Sequence, residues 1–187
     1  MLNASNVRQA IAGAVYFDKT GAAAAPTGTA SDTTGYDDLG YVSDSGVTLT
    51  MPGGGDSTPI KAWQNGATVR IIRTPSEDQP ELSLTLIETK VEVIEAVFGV
   101  TVEQGETEGS FVINTNATRD HARLIFDVID GDELIRIYAP KAIVTEVGEM
   151  AFTNGDPIGY EVTIACEYDD DLKGQAKVWS TALKTSA

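Results

Sequence analysis

The 187-residue chain has a single cysteine, a single histidine and few basic residues. Each scarcity excludes a class of function. Cys166 alone makes no intrachain disulfide, and its place in the apolar run 160–166 reads as that of a small buried hydrophobe. His121 alone builds no multi-histidine metal site. A Cys/His nucleophilic pair would need Cys166 and His121 to meet, which nothing in the sequence suggests, so His121 reads as a strand-end residue near solvent. Thirteen Lys and Arg stand against 28 Asp and Glu, for a net charge of −15. Phosphate binding runs on Lys and Arg, so nucleic acid is excluded as a tight ligand. The charge serves solubility, or an acidic surface that faces DNA without sticking to it. No apolar run approaches a membrane span. The N-terminus has no basic region followed by an apolar stretch, so no signal peptide is expected and the chain is read as made in a cytosol-like compartment.

The remaining small motifs carry little chemistry. Ser43-Asp-Ser45 lacks a base. Asp169-Asp-Asp171 lacks the spaced ligands and the distal glutamate of a calcium loop. Gly53-Gly-Gly55 is not followed by the Lys-Ser/Thr of a phosphate cradle. Asn116-Ala-Thr118 fits a glycosylation sequon, which has no meaning without secretion. No cofactor and no catalytic residue is expected.

What is present is strand and turn. The 18 glycines and many threonines favour extended segments over helices. Strands are expected at Val15–Phe17, after Gly46, on both sides of Asn65-Gly66, at 81–86, 110–113, 123–129, 134–147 and 160–168, with a short edge strand at Val178-Trp179. Pro75 is read as ending one of them. Asn65-Gly66 and Asp130-Gly131 are hairpin signals, and 154–157 marks a longer turn. One helix is expected at 89–98. Thr89 and Glu92 form a capping box, Val91, Ile94 and Phe98 recur at helical spacing, and Gly99 stops it. Thr101–Gly109 is acidic and reads as a solvated loop. Strands without intervening helices point to a mainly β protein: an antiparallel β-sandwich or barrel with one flanking helix, in a single domain spanning 1–187. The stretch at about 18–37 reads as an arm, the one at about 51–59 as a flexible loop. Neither can bury a core alone; both would order against a neighbouring subunit.

Several segments, in order, resemble the major tail tube proteins of long-tailed, non-contractile bacteriophages, the siphophage type, especially those of actinobacterial hosts. They are residues 6–16 (NVRQAIAGAVY), 38–47 (DLGYVSDSGV), 60–66 (IKAWQNG), 84–90 (LTLIETK), 97–99 (VFG) and 154–162 (NGDPIGYEV). The Gly53–Gly55 stretch departs from the pattern where a variable loop is expected, and the immunoglobulin-like C-terminal domain of some relatives is not seen. The resemblance implies a structural, non-enzymatic subunit of the virion tail, assembled in the host cytoplasm. Hexameric rings would stack into a tube around a tape-measure protein, between distal tail and tail terminator proteins. DNA would pass through the lumen without specific binding, and no membrane is involved. The acidic residues opposite apolar strand faces, Asp127, Glu161 and Glu167, are the expected lumen lining. Val7, Tyr16, Tyr41, Val42, Met51, Trp63 and Trp179 are the expected inter-subunit contacts. Trp63 also admits ordinary intrachain packing. Other readings are a head–tail joining or distal-tail ring, or a carbohydrate-binding β-sandwich using Trp63 or Trp179.

Overall fold

A computed structural model describes residues 4–74, 76, 78–116 and 118–184. Pro75, Ala117 of the sequon and the first three residues of the chain lie outside the described residues. The strands are β1 (Ala12–Asp18), β2 (Asp37–Asp38), β3 (Val42–Thr50), β4 (Ser57–Lys61), β5 (Thr68–Arg73) and β6 (Glu81–Leu86). The helix α1 (Val91–Phe98) follows, then β7 (Glu103–Gln104), β8 (Gly109–Ser110), β9 (Ala122–Asp130), β10 (Glu133–Val147), β11 (Tyr160–Cys166) and β12 (Lys177–Ser180). The main sheet is antiparallel and open, in the order β2-β1-β9-β10-β11-β6-β3. The long β10 pairs with β9 on one side; on the other it meets β12 near its start and β11 near its end.

Alternation builds the core. Leu82, Leu84 and Leu86 of β6 point inward, as do Val162 and Ile164 of β11 and Leu124 and Phe126 of β9. Helix α1 closes this face with Val93, Ile94, Ala96 and Val97. Cys166 is fully buried here, and burial pushes its thiol up to about 11. That matches its reading as a small buried hydrophobe.

Two local readings change. The capping box does not form. Thr89 Oγ1 shares a hydrogen bond with the Tyr160 hydroxyl at 2.9 Å, and Lys90 is the N-cap with no side-chain bond. A partner on the sheet has outcompeted a local one. Gly99 does end the helix, at φ 65°, where its N–H reaches Glu95 O. The Asn65-Gly66 hairpin forms, but not as a two-residue turn. The loop runs from 62 to 67, only Gly66 has positive φ (68°), and the Asn65 side chain accepts from Ala67 N. A register shift between Ile60 and Lys61 accompanies the longer loop.

The 18–37 segment is fastened to the second face of the sheet. Asp18, almost fully buried, accepts from Thr20 N and Oγ1, Gly21 N and Ala23 N at 2.6–3.0 Å. Arg123 donates to Ala23 O. Arg136 donates from Nη1 to Ser31 O at 2.7 Å and Gly28 O at 3.4 Å. Ala23 and Tyr36 thereby cover Ile125 and Tyr138, forming a second, smaller core with Tyr16 and Trp179 at its margin. The segment read as an arm that orders against a neighbouring subunit packs on its own sheet, because strands β9 and β10 carry apolar side chains on both faces.

Burial alone would raise the Asp18 carboxyl. The bonds from the Thr20 hydroxyl and from the N–H groups of Ala23, Thr20 and Gly21 outweigh it, so the net shift is below the ordinary 3.8. A group with a depressed folded value stabilises fully above its unfolded value, and that contribution is lost as pH falls through the folded one. Asp18→Asn is expected to cost about 1–3 kcal/mol at neutral pH. The gap between variant and wild type should narrow below pH about 3.8 in urea denaturation series. A gap that stays constant into acid would contradict this role.

Candidate assembly surface

Among the described residues, three surfaces stand out as lacking a partner. The first is the hairpin β4–β5, in which every strand residue is exposed. Ile60, Val69, Ile71 and Ile72 stand in solvent, and Trp63 at its tip is 95% exposed. A lone two-stranded ribbon is marginal in water, and apolar side chains on both its faces mark it for a partner. The second is the short hairpin β7–β8 with the residues after it. Its roots are anchored: Val102 N donates to Glu95 Oε1 at 2.9 Å, and the Phe111 ring lies 5.3 Å from that of Phe98. Beyond the roots, Val112 and Ile113 are exposed. The sequence reading of a strand at 110–113 is corrected here. The ladder pairs Glu103 with Ser110 and Gln104 with Gly109, and then stops.

The third is the outer face of β3, β6, β11 and the end of β10. Register places Thr48, Ser83 and Thr163 in one row across the sheet. Thr50 lies opposite Glu81, and Thr85 opposite Glu161. Glu146, opposite Thr163, is exposed beside them. The residues named are hydroxyl and carboxylate, with no Lys or Arg among them; Ala165, opposite Glu81, and Ile143 share the face.

Comparison with protein families finds that the phage tail tube protein model matches residues 1–186. The chain belongs to this family. It is a structural family of the virion tail, so the likeness read in the segments from residue 6 to residue 162 is confirmed at family level. A comparison with curated proteins finds no match.

The residues expected to line a lumen part company in this tail tube fold. Asp127 is 5% exposed. Its Oδ1 accepts from Arg136 Nε at 2.8 Å and its Oδ2 from Nη2 at 2.6 Å. A wall residue needs an exposed charge, and this one is buried and paired, so the expectation for Asp127 is corrected. Glu161 is exposed on the open polar face. Glu167 lies just past β11, and its Oε2 accepts a hydrogen bond from His121 Nε2 at 2.6 Å. His121 is thus a solvent-side partner of a carboxylate.

The expected contact residues also divide. Val7, Tyr41, Met51 and Trp63 are exposed. Tyr16 and Trp179 are half-buried against the second core, and Val42 against the main one. Lys177 Nζ sits 4.9 Å from the Trp179 ring centroid. Trp179 is therefore no open platform for a sugar. The hairpin signal at Asp130-Gly131 held the clue to Asp127. A two-residue turn pairing Asp130 with Glu133 puts Asp127 directly opposite Arg136.

Asp127→Ala, which strands a buried guanidinium, is expected to lower unfolding free energy by about 3–5 kcal/mol. Glu161→Ala should change it by less than about 0.5 kcal/mol. Thermal and chemical denaturation of the two variants, run side by side, check the division; equal effects would refute it.

Proposed function

We propose that the chain is the ring subunit of the tail tube. Six copies close a ring, and rings stack around a tape-measure protein and later conduct DNA. Assembly takes place in the host cytoplasm, with distal tail and tail terminator proteins capping the ends. The observation that carries this reading is the open β3-β6-β11-β10 face. Rows of Thr and Ser with Glu81, Glu146 and Glu161 suit the wall of a DNA channel, because fixed negative charge repels phosphate and leaves nothing to grip. Glu161 and Glu167, expected from the sequence, belong to that wall, and Glu81 and Glu146 extend it. Val7, Tyr41, Met51 and Trp63 stand ready for contacts between subunits.

Negative-stain microscopy of concentrated protein, with and without a tail initiator complex, should give long tubes of uniform width. Closed single rings would favour a joining or distal-tail role instead. Protein that stays monomeric under both conditions would sink the proposal. In the variant E81K/E161K, tubes should still form, and they should retain double-stranded DNA in co-sedimentation at low salt. Wild-type tubes should not. Equal retention by both would remove this face from the lumen.

A further inference from the structure

The two unpartnered hairpins carry opposite charge. Residues 57–73 contain Lys61, Arg70 and Arg73 and no acidic residue, a local charge of +3 in a chain of net −15. Residues 101–113 contain Glu103, Glu106 and Glu108 and no basic residue, a local charge of −3. All six side chains belong to exposed residues. Each hairpin also presents apolar groups to solvent: Ile71 and Trp63 on the basic one, Val112 and Ile113 on the acidic one. Neither is covered by other described residues of its own chain. We propose that the β4–β5 hairpin of one copy docks on the 101–113 segment of a second copy.

This rests on the assembly reading above and adds the identity of two meeting surfaces. Apolar burial supplies the attraction, with Trp63 the natural anchor. The opposed charges set register and exclude a like hairpin, since basic against basic or acidic against acidic is repulsive. The contact is heterologous: each copy offers one surface and receives on the other. Such a contact repeats without limit or closes into a ring, as its rotation dictates. A symmetric dimer that consumed both surfaces would end assembly. The anchored roots at Val102 and Phe111 give the receiving segment a rigid base.

Two readouts test it on the full chain. In wild-type protein at assembling concentration, a zero-length carbodiimide cross-linker should join Lys61 to Glu103, Glu106 or Glu108 between copies, identified by peptide mass spectrometry. The variants K61E/R70E/R73E and E103K/E106K/E108K should each lower the sedimenting fraction about tenfold or more, as like charges facing across an interface do. The chain carrying all six substitutions restores complementarity and should recover assembly to within about threefold. Near-UV circular dichroism of each variant reports its fold. Wild-type assembly by either triple variant, or no recovery in a folded six-substitution chain, overturns the docking. Tubes that form without the Lys61 cross-link overturn the docking and spare the tube reading. Cross-linked oligomers that never become tubes do the reverse, and absence of both sinks both.

Discussion

The bidentate pair between Arg136 and Asp127 is the contact on which the second half of this fold depends. It bridges β9 and β10 at directly opposed positions, and the same guanidinium donates to the carbonyls of Gly28 and Ser31. The bond to the carboxylate, against the opposing cost of burial, raises the guanidinium above its already high ordinary value, so the charge persists at any accessible pH. A buried ion pair adds little net stability over apolar residues of the same shape, but breaking it leaves a stranded charge. Its service here is placement. It holds 18–37 over Ile125 and Tyr138, which lets the β9–β10 ribbon be apolar on both faces. Burial of the Tyr36 phenol, pushed up to about 12, reflects the same closure.

With that face closed, what remains open acquires meaning. The sheet leaves β3, β6, β11 and the end of β10 bare on one side, and that side is polar and acidic. Its edges are the two-residue β2 and the mostly exposed β3. The two hairpins outside the main sheet each leave several apolar side chains in solvent, Trp63 and Val112 above all. A monomer has no use for either arrangement. The proposed ring subunit would use both, meeting copies of itself through one set of surfaces and presenting the other to DNA.

Much of this was legible residue by residue. Leu82, Leu84 and Leu86 alternate because their strand is half-buried, and the structure buries all three. Gly99 stops α1 because only a residue tolerant of the left-handed region sits easily there. Errors arose where a local preference met a distant partner. Thr89 left its capping role for Tyr160. Asn65-Gly66 opened into a six-residue loop. Asp127 reads as solvent-facing because one face of its strand is already apolar, but the 18–37 segment covers the other.

Composition, alternation and turn residues by themselves determined the β class, the single helix and the absence of motifs for catalysis or metal binding, because those features follow from spacing along the chain. Ordered segments likewise carried the tail tube likeness. Tertiary structure alone decided which acidic residues are free and which are consumed. Asp127 and Glu161 are both carboxylates on alternating strands, and nothing local distinguishes them. Only the crossing of a segment a hundred residues away buries the first beside Arg136 and leaves the second in the open.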